Sequence, residues 1–281
     1  MTDSPSDSAR PFDFAHTPFD FTGKVVIITG GSRGVGRGIT ESFLDVGAEV
    51  AICGRREPPQ GALPMGPSSR RSPVFVTADV RDAEQAFSFV SETAKRFGRV
   101  DVLINNAGGS PTVPAADASP RLVSQVIALN LLAPFFCAQA AYAVMRTADA
   151  GGSIVNIGSV SGLRPSPGTA AYGAAKAGLI NLTRTLAMEW APAVRVNCVV
   201  AGMIATESAL DHYGGAAGLG AVAATVPLRR MGTPGDAAGV CMFLASPLAA
   251  YVTGATIEMH GGGEWPPFLA AVEDAQRSSQ P

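Results

Sequence analysis

The sequence predicts an α/β protein built on one doubly wound, seven-stranded parallel sheet with helices on both faces. Three observations carry that reading. Short runs of β-branched residues alternate with longer helical stretches in a single repeating rhythm. The short runs are near-continuous apolar segments, as strands covered on both faces must be. Glycine-rich and polar segments follow the strands directly, where doubly wound sheets gather ligands.

The strands are read at 24–29 (KVVIIT), 49–53, 74–78, 100–105 (VDVLIN), 153–158, 195–200 and 255–259. Helices are read at 36–46, 82–97 with Asp82 near the cap, 119–145, 170–190 and 235–244. Right-handed crossovers between such strands give the doubly wound order. With no break in composition, 22–263 is expected to be one domain, flanked by a flexible arm (1–21) and a tail (264–281). Two segments depart from the rhythm. Prolines in 56–73 (REPPQGALPMGPSSRRSP) forbid a long helix and predict an irregular crossover. The small-residue-rich stretch 207–225 is expected to be mobile and to act as a substrate lid.

A formal charge of −2 gives no reason to expect nucleic acid or an anionic membrane as partner. No apolar run is read as approaching the roughly 20 residues that cross a bilayer. The start has no basic cluster followed by an apolar stretch, so it does not read as a secretory signal. Phe12, Phe14, Phe19 and Phe21 in the arm could dock on a surface. None of the four cysteines pairs at a CxxC spacing, and all lie in apolar runs, which predicts buried, reduced thiols. The three histidines form no metal motif. No metal and a cytoplasmic location are expected.

The first strand runs into Thr29-Gly30-Gly31-Ser32-Arg33-Gly34-Val35-Gly36, a TGxxxGxG pattern. Glycines allow a tight turn and close approach of the backbone to a pyrophosphate, and the next helix offers free N–H groups and the positive end of its dipole. The second strand ends in Cys53-Gly54-Arg55, so the position where an acid would hold a ribose 2′-hydroxyl is Gly54. Arg55 and Arg33 instead suit a 2′-phosphate, which favours NADP(H) over NAD(H). Two solvated surface arginines are the plainer alternative.

Together with Asn105-Asn106-Ala107-Gly108 and Tyr172-Gly173-Ala174-Ala175-Lys176, this loop makes the chain resemble the short-chain dehydrogenases/reductases over about residues 22–263. The resemblance implies a Rossmann-type fold and a set of site residues. Asp79 and Val80 would meet the adenine, and Asn106, Ala107 and Gly108 would flank the adenosine ribose. Asn130, Ser159, Tyr172 and Lys176 match the catalytic set, with Ser161 a weaker competitor for the serine. Gly202, Ile204 and Thr206 match the segment that holds the nicotinamide carboxamide, although Ala201 stands where the family usually has proline. Glu258-Met259-His260-Gly261-Gly262 replaces the usual VDGG ending, so the family's aspartate contact is not carried over.

Tyr172 and Lys176 are four residues apart, hence on one helix face. A free phenol titrates near 10, and an adjacent ammonium is expected to lower that value. Ser159 and Tyr172 would hydrogen-bond a carbonyl oxygen that receives charge during hydride transfer, and Tyr172 would supply the proton. The family relay would have Asn130 hold a water against Lys176. Two alternatives remain open: a non-catalytic, redox-sensing dinucleotide binder and an NAD-dependent alcohol dehydrogenase; a dehydratase or epimerase of related fold is disfavoured.

The substrate is not legible. Met203, Ile204, Leu210 and Leu219 suggest a mostly apolar pocket. Ser110, Pro111, Thr112, Leu163 and Arg164 are further candidate wall residues. Helices 119–145 and 170–190 are apolar nearly all round, which, with the family's habit, predicts a homodimer or homotetramer. The EWPPFL stretch at 264–269 could also cross such an interface.

Overall fold

The computed structural model describes residues 19–278, apart from 208 and 210–212. Phe12, Phe14 and Leu210 therefore lie outside the described residues. Seven parallel strands form one sheet in the order β3-β2-β1-β4-β5-β6-β7. They are β1 Val25–Thr29, β2 Glu49–Gly54, β3 Val74–Thr77, β4 Val102–Asn105, β5 Gly152–Ser159, β6 Val194–Ala201 and β7 Thr256–Met259. The Rossmann-type reading of the sequence holds. The winding reverses at β1, which lies between β2 and β4, so a crevice opens beyond the ends of β1 and β4.

Side chains alternate across the pleat and feed two cores. Ile27, Leu103, Ile154 and Val196 face one layer with α2 (Ala83–Phe97), α4 (Ala133–Met145) and α5 (Ala170–Trp190). Val26, Ile28, Ile52, Ile104 and Val155 face the other, with α1 (Gly34–Asp45) and α7 (Pro234–Ala245). Tyr142 of α4 stacks on Trp190 of α5 at 4.5 Å. All four cysteines are buried and unpaired, as their apolar surroundings predict.

Several expectations change in detail. Helix 119–145 is not one regular helix. It runs as α3 (Pro120–Ile127), a π turn over Ala128–Leu132, and α4. Its 26 residues, Pro120–Met145, are long and apolar enough to cross a membrane by length and composition, contrary to the reading that no such run exists. Much of that length is spent in the core instead, where Cys137, Ala138, Ala141 and Met145 are fully enclosed.

The stretch read as mobile ends in a helix, α6 (Gly215–Thr225). Its alanines favour helix and outweigh the glycines. The tail also forms a helix, α8 (Pro267–Ser278), which the sequence reading left unassigned. No helix forms between β2 and β3, as the prolines require. The arm ends sooner than position 21. Phe21 is buried, and its ring meets Phe43 of α1 edge-on at 5.0 Å.

Candidate active site

The loop after β1 is shaped by glycine. Gly30 and Gly34 have φ of +65° and +57°, which side chains disfavour. A Cβ on Gly36 would lie 2.4 Å from both the Gly30 carbonyl and Asn106 Nδ2, so no larger residue fits. Thr40, one turn on, ties the loop down by donating to the carbonyls of Gly31 and Gly36 at 3.0 and 2.8 Å. α1 begins at Gly34 rather than Gly36, and Arg33 at its N-cap makes no side-chain capping bond. A helix start that its own residues leave uncapped, beside a close-packed glycine turn, fits a pyrophosphate. Ser32 and Val35 lie in the same turn and are half-buried.

Across the crevice, the NNAG segment clamps β4 to β1. Asn106 Nδ2 donates to Thr29 O at 2.9 Å and Gly30 O at 3.2 Å. Thr29 Oγ1 accepts from the backbone N–H of Asn106 and Ala107. Asn105 Nδ2 reaches Asn156 on β5, and Asn156 continues to Thr183 on α5. Gly108 leaves a small space: a Cβ there would stand 2.8 Å from Asn130 Oδ1 and 3.3 Å from Lys176 Nζ.

At the cofactor's expected adenine end, Arg33 and Arg55 are exposed. Arg55 acts electrostatically on Asp79, but the main partner of that carboxylate is Arg81. Arg81 Nε donates to both Asp79 oxygens, at 2.9 and 3.1 Å. Hydrogen bonds from Arg81 hold the Asp79 carboxyl below the usual aspartate range. Sequence reasoning missed Arg81, whose only signal was its place two residues after Asp79. Val80 between them is buried.

The four residues matched to the catalytic set converge at the ends of β4, β5 and α5. Asn130 is fully buried in the π turn. Its Nδ2 donates to the Gly109 and Val126 carbonyls and its Oδ1 accepts from Gly109 N–H, each at 2.9 Å. The side chain thus pins the loop after β4, and only the carbonyl oxygen has capacity left for a further donor. π turns of this kind often mark functional sites.

Ser159 ends β5 and is buried, and its Oγ accepts from Ser161 N–H at 3.2 Å. Ser161 is the poorer candidate, because its hydroxyl is engaged by Ser166 at 3.0 Å. Lys176 is buried, with Nζ 5.6 Å from the Tyr172 ring centre and donating to Ile157 O at 2.7 Å.

The expected lowering of the Tyr172 phenol is not what the protein shows. Burial raises it above 10, and a hydrogen bond with Ser159 offsets only part of that rise. Burial also lowers the Lys176 ammonium from 10.5 to about 8. Desolvation disfavours both charged forms and is the largest cause of both shifts.

The loop after β6, with Ala201 in place of proline, is tied to Gly232 by main-chain bonds. Ile204 bridges Gly232, Ala205 N–H donates to Gly232 O, and Gly232 N–H donates to Met203 O. Gly202 is required, since a Cβ would meet His260 Cβ at 2.6 Å. His260 itself pairs with Glu258 at 2.7 Å. Thr206 lies beside Gly34, its Cγ2 3.6 Å from where a Gly34 Cβ would be. Glu207, unremarked in the sequence reading, accepts from Gly34 N–H at 2.7 Å.

Polar side chains stand on the rim beyond these loops. Arg164 forms an ion pair with Glu264, joining the loop after β5 to the tail. Burial and the Glu264 charge raise the Tyr213 phenol, whose hydroxyl lies 3.6 Å from Met203 Sδ.

A family model described as Enoyl-(Acyl carrier protein) reductase matches residues 30–264. The chain belongs to the short-chain dehydrogenases/reductases. An uncharacterised oxidoreductase of Mycobacterium tuberculosis is 35% identical over 259 residues, spanning 91% of this chain and 98% of the relative. An L-rhamnose 1-dehydrogenase (NAD(P)+) of Azotobacter vinelandii is 35% identical, over 85% and 96% of the two chains. The ligand-free aldohexose dehydrogenase of Thermoplasma acidophilum superposes with a TM-score of 0.80 at 28% identity, over 88% of this chain and 96% of that one. The protein is thus an oxidoreductase of a family that uses nicotinamide dinucleotides.

The buried Lys176 predicts a pH signature. Its ammonium is disfavoured in the fold, so between about 8 and 10.5 the unfolded chain binds more protons than the native one. The lysine therefore costs stability below about 8, and that cost fades as pH rises to 10.5. Urea unfolding of wild type and Lys176→Met should show a stability difference that shifts toward wild type across this window. A flat difference would contradict the burial argument.

Proposed function

We propose that this protein is an NADP(H)-dependent carbonyl reductase and alcohol dehydrogenase in which Tyr172 is the general acid and base. The observation that carries the reading is one cluster of side chains around Lys176. The Ser159 hydroxyl acts on the Tyr172 phenol, Lys176 lies under the same ring, and Asn130 and Lys176 face a common space at Gly108.

The bound dinucleotide supplies or accepts the hydride. Gly30, Ser32, Gly34, Val35 and Gly36 would hold its phosphates, with Asp79, Val80, Asn106, Ala107 and Gly108 beside the adenosine. Gly202, Ile204 and Thr206 would line the nicotinamide end. Ser159 and Tyr172 would bind the substrate oxygen and stabilise the charge that develops there. A phenol held above 10 is protonated at neutral pH, which suits proton donation to a carbonyl in the reducing direction. Lys176 would stabilise the phenolate left behind, and the free capacity of Asn130 Oδ1 would support a proton path from Lys176.

The polar rim of Arg164, Glu264 and Tyr213 favours a substrate with several hydroxyl groups over a plain hydrocarbon ketone. The rhamnose and aldohexose relatives support the same class. Self-association is part of the proposal, because Val123, Leu132 and Met188 stand exposed on α3, the π turn and α5.

Tyr172→Phe should lower kcat by about 10²- to 10⁴-fold while NADPH still binds. Near-wild-type turnover in that variant would contradict the role of Tyr172. The cofactor assignment rests on Arg33 and Arg55. It predicts a kcat/KM for NADPH above that for NADH, and a drop in this ratio of about tenfold or more in Arg55→Ala. A wild-type ratio below one would contradict it.

A further inference from the structure

The first turn of α1 lacks a cap of its own. Arg33 makes no side-chain bond to it, and the turn contains no acidic residue. Its acceptor comes from far along the chain: Glu207 Oε1 takes the Gly34 N–H at 2.7 Å, across 173 residues. The Thr206 methyl packs beside the same glycine. A carboxylate at a helix start satisfies a free N–H and meets the positive end of the dipole, as a phosphate oxygen does.

We infer that Glu207 competes with the dinucleotide pyrophosphate for the Gly34 N–H and so sets cofactor affinity. The inference rests on the dinucleotide reading above. Two anions cannot share one N–H at van der Waals distance, and their like charges repel. Glu207 is exposed, so water readily takes its carboxylate when it leaves. It also begins the 207–225 segment. Entry of the cofactor thus releases the base of that segment from the phosphate loop.

Calorimetric titration of the full chain with NADPH and with NADH tests this in wild type, Glu207→Gln and Glu207→Ala. The alanine variant should bind both dinucleotides about three- to tenfold more tightly, the scale of one capping interaction. The glutamine variant, which keeps an acceptor but no charge, should fall between it and wild type. The ratio of NADPH to NADH affinity should stay constant, because the pyrophosphate is common to both. Unchanged or weaker binding of both cofactors in the variants would overturn the inference. Tightening confined to NADPH would overturn it too, since that is a long-range effect of net charge on the 2′-phosphate. If no form of the protein binds either dinucleotide, the dehydrogenase reading fails and takes this inference with it.

Discussion

Where the winding reverses, the ends of β1 and β4 must be held together while the segments beyond them part. Thr29 and Asn106 do this. Thr29 Oγ1 accepts two backbone N–H groups from the NNAG segment, and Asn106 Nδ2 returns bonds to the Thr29 and Gly30 carbonyls. The amide occupies the space that a Gly36 side chain would need. One contact thus fixes the phosphate turn, the start of α1 and the strand that leads to Gly108. Everything the site does downstream depends on that registration.

The second constraint is the cost of enclosing charge. Lys176 is buried and Tyr172 half-buried, and desolvation moves each toward its neutral form. The Ile157 carbonyl and the Ser159 hydroxyl compensate in part. Such a pair is poorly justified by stability alone, because buried ionisable groups are seldom worth more than apolar ones of the same shape. Perturbed groups that share a cleft point instead to chemistry. The π turn makes a similar case. It interrupts a helix whose composition would otherwise run straight, and it enables Asn130 to hold Gly109 by both its N–H and its carbonyl.

Much of this was legible in the sequence. The apolar runs located all seven strands, since burial on both faces leaves a plain hydrophobic signature in the central ones and the edge strands β3 and β7 keep β-branched or aromatic residues. The prolines of 56–73 correctly excluded a crossover helix. Tyr172 and Lys176 could be set on one helix face from their spacing, and the family resemblance added Ser159 and Asn130. What could not be read depends on contacts between distant segments. The π turn has no composition signal, and only the Asn130 contacts explain it. Arg81 takes the Asp79 carboxylate by local geometry, and Glu207 reaches Gly34 from the other end of the chain. The direction of the Tyr172 shift depends on how deeply the ring is enclosed, a quantity that four-residue spacing does not contain.

The central claim is that the phosphate turn at Gly34 and the Ser159–Tyr172–Lys176 cluster are two ends of one dinucleotide cleft. A crystal structure of the protein with NADPH tests this most directly. The account predicts the pyrophosphate against the first turn of α1 and the nicotinamide ribose within hydrogen-bond distance of Lys176 Nζ. A dinucleotide bound elsewhere, or with its nicotinamide turned away from Tyr172, would contradict it.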